Sequence, residues 1–356
     1  MRKTVFIVFT VIMFATSFYF IYHTRAQSDG CRSEITSDPY TRDDDFDGYP
    51  DFLETGAGYK INSDDCLDKM KCGKISDLEK IGERKNILII LDASGSMSAS
   101  TPSGKSRMDV AKEAIASYLD ILPPDASVGL VAYSAKGFRG DSCSQIQVVS
   151  DIQKLNKTRL TTAVNALKES GLTPMAASVK FTAKIFEKYP EDDNHIILIS
   201  DGEESCSGNP IQEVYDIRSG KGRPRVDVIG LCVSGNTAKQ LKCMAEVAAG
   251  RYHSAENAED LKKAMEESFT SSRDFIKMLV CLQRDFNAYM LCENTKFNKL
   301  DQWLIRKNVM ADDDMKVKLA AAREAIVKKN KQVEKLSLEK LQQKAQKLEK
   351  DTQILK

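Results

Sequence analysis

The sequence predicts an α/β protein, a doubly wound and mostly parallel β-sheet with one antiparallel edge strand, preceded by an acidic segment and followed by a helical tail. Three observations predict it. From about Glu83 to Met265, short β-branched runs alternate with amphipathic helical patterns, as strands joined by crossover helices do. One stretch, "VGLVAYSAKGFRGDSCSQIQVVS", holds two apolar runs with no helix between them and reads as a hairpin. After Gly250 neither Gly nor Pro occurs again, so the remainder reads as helix.

Taken in order, strands are expected at Asn86–Leu91, Ser127–Tyr133, Gln145–Ser150, His195–Ser200 and Val226–Cys232, with a short edge near Arg251–Ser254. Helical patterns fall at Met108–Leu122, Arg159–Leu167, Met175–Lys188, Pro210–Ile217 and Thr237–Ala248. Sheets of this kind bind ligands outside the carboxyl ends of their strands, near the switch in strand order. Asp92 and Asp201 each follow directly on an apolar strand, so they are expected side by side at that end.

The chain has 356 residues, 42% hydrophobic and 29% charged, enough for one full domain with extensions. Its formal net charge of +1 argues against a global attraction to nucleic acid. Residues 1–26 place Arg2 and Lys3 ahead of an apolar run from Val5 to Tyr22, an export signal. The run is long for a cleaved signal, and Tyr19, Phe20 and Tyr22 suit a retained membrane anchor; Thr24, Arg25 and Ala26 form a passable cleavage site. With either outcome the rest of the chain lies outside the cytoplasm, secreted or membrane-anchored. Nine cysteines then imply disulfides, the odd count leaving at least one free or paired between chains, and with three histidines and no CxxC pair they are not a zinc pattern.

Chemistry concentrates at "LDASGSMS". Ser94 and Ser96 are poor nucleophiles here, because the stretch is not a Gly-x-Ser-x-Gly elbow and no histidine is placed to act as base. His195 opens the strand that Asp201 follows, about 20 Å away along it. Asp92, Ser94 and Ser96 on one tight loop, with Asp201 from the neighbouring strand and Thr173 from a third loop, form an oxygen-only donor set. Such a set suits a hard, octahedral cation such as Mg²⁺.

"LDASGSM", "GLTPMAAS", "IILISDGEES" and the run from Val226 to Met265 together resemble a von Willebrand factor type A domain of the bacterial secreted or anchored kind, over about residues 83–268. The resemblance implies a Rossmann-like fold with a metal-ion-dependent adhesion site holding Mg²⁺ or Mn²⁺. Ser94 and Ser96 would bind the ion directly, Thr173 would be a third contact, and Asp92 and Asp201 would act directly or through water. An Asp or Glu of a protein partner would take the open position. The resemblance also implies a Cys206–Cys243 disulfide.

A second motif lies in the acidic segment, residues 28–77. "DDDFDGYPDFLE" matches the calcium loop D-x-[DN]-x-[DN]-G-x5-E, with Asp43, Asp45 and Asp47 as first ligands, the Tyr49 carbonyl, Asp51, and Glu54 as a bidentate closer. Pro39 stands where an entering helix belongs, so the loop resembles single extracellular repeats of the thrombospondin type 3 kind. Weak Ca²⁺ affinity, about 10⁻⁴–10⁻³ M, is expected, with the ion stiffening a stalk.

Cys66 and Cys72 flank a short loop and are candidates to pair, while Cys232 reads as a free thiol in a buried strand. If the tail, residues 269–356, is one unbroken helix, Cys281 and Cys292 lie about 16 Å apart, beyond the roughly 7 Å a disulfide spans. Leu319, Ile326 and Val333, then Leu341, Leu348 and Leu355, form two heptad runs that suit a coiled coil, with self-association, or a helix packed on the domain. The sequence therefore reads as a non-enzymatic, metal-dependent protein-binding module. The alternative is a structural subunit of a cell-envelope assembly whose metal serves integrity.

Overall fold

The computed structural model describes residues 31–61, 65–66, 85–122, 126–190, 193–248, 250–309, 311–334, 339 and 342–343. The export segment 1–26, Cys72, Leu341, Leu348 and Leu355 lie outside the described residues. No described helix is long and apolar enough to cross a membrane.

Six strands form one sheet: β1 (Lys85–Asp92), β2 (Ser127–Tyr133), β3 (Ile146–Lys154), β4 (Asp193–Ser200), β5 (Arg225–Leu231) and β6 (Tyr252–Ala255), in the order β3-β2-β1-β4-β5-β6. β3 runs antiparallel to β2 at one edge, and every other pairing is parallel. Around them lie α2 (Arg107–Ile121), α3 (Lys157–Ala166), α4 (Met175–Phe186), α5 (Pro210–Ser219) and α6 (Gly235–Val247), after a short α1 (Asp51–Ala57).

The uninterrupted apolar run of β1 has a physical cause in this layering, since a central parallel strand is covered on both faces. Ile87, Ile89 and Leu91 pack on one side with Met108, Ile115 and Tyr118 of α2. Leu88 and Ile90 pack on the other with Met175, Val179, Val214, Leu241 and Met244 from α4, α5 and α6. Helix starts are set locally: the Ser106 side chain accepts from the Asp109 N–H, and Asn209 caps the helix whose first residue is Pro210.

Beyond the sheet, the chain continues as α7 (Ala258–Arg284), α8 (Phe286–Val309) and α9 (Asp313–Glu334). The tail is thus not one helix; it breaks at Asp285. Leu261, Ala264 and Met265 of α7 join the sheet's core. Tyr49 and Leu53 pack with Leu300 and Leu304 of α8 and with Leu319, Ala322 and Ile326 of α9. α1 lies so close to α8 that a Cβ on Gly56 would stand 2.3 Å from the Trp303 indole. The first heptad run therefore faces an intramolecular core, and the acidic segment is a packing partner of the tail rather than a free stalk.

The disulfides differ from the expected pairings. Cys206 bonds Cys143, from the loop before β3, with Cα atoms 5.5 Å apart. Cys243 instead bonds Cys31 at 5.1 Å. Cys243 lies on α6, and the 31–36 segment is also strapped to the start of the neighbouring α5: the Thr36 N–H donates to Gln212 Oε1, and Asn209 Nδ2 donates to the Glu34 carbonyl. Cys66 does not pair with Cys72; it bonds Cys292 on α8 at 5.6 Å, which the α1–α8 packing brings about. Cys232 is the free cysteine among the described residues, half-buried just past β5 rather than within it.

Ile326 is wholly buried in the helical core. Ile326→Ala is expected to lower stability by about 2–5 kcal/mol in urea titration monitored by circular dichroism.

Candidate functional site

β1 and β4 are neighbours at the point where strand order reverses, so their carboxyl ends open a crevice. Asp92 ends β1 and is wholly buried. Its Oδ1 accepts the Ser94 N–H at 2.7 Å, and its Oδ2 accepts the Ser200 hydroxyl at 2.7 Å. Burial, and then the charge of Asp201, push the Asp92 carboxyl above its ordinary range.

The loop after β1 turns so that the Ser94 and Ser96 hydroxyls lie 3.0 Å apart. Ser96 donates to Asp201 Oδ1 at 2.7 Å, joining the first loop to the one after β4. The loop before α4 closes the group: the Gly95 N–H donates to the Gly171 carbonyl at 3.1 Å, and Ser170 donates to the Ala93 carbonyl at 2.8 Å. Thr173 Oγ1 and Ser96 Oγ both border Gly202, 3.5 Å and 3.8 Å from where a Cβ on it would stand, so the loops after β1, before α4 and after β4 meet here. Thr173 is fixed by reciprocal bonds with Ser205, its N–H to Ser205 Oγ at 2.7 Å and its carbonyl to the Ser205 N–H at 3.1 Å. Glu204 accepts the Ala176 N–H at 2.6 Å at the start of α4, where a carboxylate is favoured by the helix dipole.

The five residues Asp92, Ser94, Ser96, Thr173 and Asp201 are thus brought to one end of the sheet. Their donors are all oxygen, and two are buried carboxylates, a chemistry that fits a hard divalent cation. Two residues at the site escaped the sequence reading. Ser200 orients Asp92, and its signal was its place directly before Asp201. Arg107 donates to Asp201 Oδ2 at 2.6 Å, a resident positive charge at the first turn of α2 that no motif marked.

His195 is far from the serines in its bonding. Its Nε2 lies 3.0 Å from Asp227 Oδ2 in the core, and Arg225 sits 3.5 Å from the other oxygen of Asp227. Burial pushes the Asp227 carboxyl up, but Arg225 and His195 outweigh it and hold the group well below the usual carboxylate range.

The acidic loop presents a second centre. Ligand oxygens of Asp43, Asp45 and Asp47 lie within 4.8 Å of one another. Gly48, at φ +93°, makes the turn, and its N–H donates to Asp43 Oδ2 at 2.9 Å. The Asp47 N–H bonds Asp45 Oδ1, and the Tyr49 N–H bonds Asp47 Oδ1. Asp51 is turned elsewhere: its Oδ1 accepts the Asp44 N–H at 2.9 Å and its Oδ2 is 3.7 Å from Arg42.

Lys296, from α8, is wholly buried in this loop. Its ammonium is 2.7 Å from Asp47 Oδ2 and 2.6 Å from Glu54 Oε1, and 4.6 Å from the centre of the Tyr49 ring. One ammonium does not satisfy the cluster. Asp43 Oδ1, Asp45 Oδ2 and Glu54 Oε2 are buried without a hydrogen-bond partner. Burial, and then neighbouring carboxylates, with Asp47 foremost, push Asp43 up to about 7, Asp45 up to about 9 and Glu54 up to about 11. Orphaned buried carboxylate oxygens on a twelve-residue loop of this pattern fit a calcium ion.

Residues 87–204 match the family model of the von Willebrand factor type A domain. Over 188 residues, 51% of this chain and 84% of the relative, it is 29% identical to the uncharacterized protein YwmD of Bacillus subtilis (strain 168). The YwmC protein of the same organism is 29% identical over 184 residues, 50% of this chain and 80% of the relative. Among solved structures, a von Willebrand factor type A protein from Catenulispora acidiphila matches with 23% identity and a TM-score of 0.42, covering 55% of this chain and 43% of that one. Proximal thread matrix protein 1 of the mussel byssus, described with a zinc-occupied MIDAS motif, matches at 16% identity and a TM-score of 0.42, covering 57% and 47%.

Asp227 supplies a pH dependence with a definite sign. A carboxylate whose folded pKa is depressed contributes stability that is present above its unfolded value, near 3.8, and lost as pH falls toward the folded one. Asp227→Asn is expected to lower the melting temperature at pH 7 and to flatten the decline between about pH 4 and pH 2, read by thermal melts across pH.

Proposed function

We propose that this chain is an extracytoplasmic protein-binding module whose A domain captures an Asp or Glu of a partner through a divalent cation, Mg²⁺ or Mn²⁺. Asp92, Ser94, Ser96, Thr173 and Asp201 hold the ion directly or through water. The observation that supports this reading is the joining of three loops at one point, through the bonded Ser94, Ser96 and Asp201 and the Gly95 to Gly171 bond that brings the Thr173 loop alongside. The ion supplies a Lewis-acidic position for a carboxylate. The protein supplies neutral hydroxyls, which leave the ion's charge only partly cancelled and so attractive to an anionic side chain.

The role is binding rather than hydrolysis: the two hydroxyls are bonded to each other and to Asp201, while His195 serves Asp227. Three disulfides among the described residues support an oxidising, extracytoplasmic setting, reached through the export segment as an anchor or a cleaved signal. Calcium occupies the 43–54 loop.

One observation favours the structural-subunit alternative. Leu291, Ile305 and Val309 of α8 are 69%, 52% and 79% exposed, and their spacing places them on one helix face. That stripe would serve self-association or docking in a larger assembly.

The test is capture from an envelope extract by immobilised protein. Mg²⁺ is expected to retain a partner that EDTA releases, and folded Asp92→Ala is expected to retain none. Capture indifferent to EDTA sinks the adhesive reading, and loss of assembly without loss of capture favours the structural one. Ser200→Ala, which removes the bond orienting Asp92, is expected to weaken Mn²⁺ binding about ten- to hundredfold by electron paramagnetic resonance titration.

A further inference from the structure

The placement of Lys296 in the acidic loop has no counterpart in the loop's sequence pattern. It enters from a helix more than two hundred residues away in the chain and takes one oxygen from each of two carboxylates, Asp47 and Glu54. These are the fifth and twelfth positions of the loop, and a calcium ion needs both, the twelfth through its two oxygens. The ammonium has three donors, and among the described groups Asp65 Oδ2 is a further carboxylate contact at 3.8 Å. Asp43 Oδ1, Asp45 Oδ2 and Glu54 Oε2 remain without a hydrogen-bond partner. A cation that takes six to eight oxygens satisfies all of these at once, where an ammonium cannot.

We propose that calcium and the Lys296 ammonium are alternative occupants of one pocket, and that calcium entry expels Lys296 from it. The inference rests on the calcium reading of the 43–54 loop. In the calcium-free state Lys296 is an internal stand-in for the ion and keeps buried carboxylates from facing one another uncompensated. Two groups limit how far α8 responds. The Cys66–Cys292 disulfide sits one helical turn before Lys296, and Leu300 and Leu304 stay packed on Tyr49 and Leu53. The helix is therefore retained, and the change is the side chain's exit toward Tyr59, whose ring centre is already 5.3 Å from the ammonium.

The experiment uses the full chain and calcium alone as the probe. Lysine acylation is mapped by mass spectrometry in EDTA and in saturating CaCl₂, with Lys180, 72% exposed, as the reference. Lys296 is wholly buried and is expected to be protected in EDTA and to label about tenfold or more faster in calcium. Isothermal titration is expected to show Lys296→Met binding calcium about tenfold or more tighter than the parent, since the internal competitor is gone. If the parent binds calcium while Lys296 stays protected, the proposal is overturned and the calcium reading stands. If neither protein binds calcium, both fall. The labelling is done on the unaltered chain, so it decides the matter even where Lys296→Met folds poorly.

Discussion

Two parallel strands, β1 and β4, set down two buried carboxylates beside each other, and the need to neutralise that pair organises the whole end of the sheet. Asp92 is held by neutral donors only, the Ser94 N–H and the Ser200 hydroxyl. Asp201 has a cation of its own, Arg107. The neutralisation is therefore lopsided, complete on one strand and unfinished on the other. The deficit lies on the inner carboxylate, while Ser96, the exposed hydroxyl, stands at the mouth.

The same electrostatic problem recurs at the 43–54 loop with a different solution. There the acidic side chains crowd one turn, and the compensating charge arrives from α8 on a long flexible stem, seated over Tyr49. Arginine at the first site is planar and always charged, suited to stay where it is, whereas a lysine tip carries a compact charge on a stem that can swing. The two centres thus differ in how readily their resident cation can leave.

Most of the fold was legible because it rests on local rules. The strand and helix positions in the A domain match their periodic patterns to within a few residues at each end, with β3 the longest overrun, and the hairpin without a helix did become the antiparallel edge. Asp92 and Asp201 could be placed from strand order, whereas Ser94, Ser96 and Thr173 were read from the oxygen-only donor pattern and the family resemblance. What sequence could not supply was long-range pairing. Cys206 has partners of equal merit in its own domain until the β2–β3 loop is seen to reach it. Nothing near Asp47 announces Lys296, since the two are brought together by long-range packing of Tyr49 and Leu53 on α8 and α9 and by the Cys66–Cys292 disulfide. The break at Asp285 carries no Gly or Pro, so propensity alone ran the helix through it.

The Cys66–Cys292 bond changes what counts as a domain here. It joins positions 226 residues apart and closes the sheet-bearing segment inside a covalent loop, while Cys31–Cys243, spanning 212, ties the N-terminal flank to α6 within that segment. Topologically the A domain is an insertion within a small helical body made from both flanks of the chain. Force applied between the two flanks would run through sulfur and α8 and bypass the sheet. A load at the carboxyl ends of the strands would then pull on a segment whose two exits are anchored to the same base.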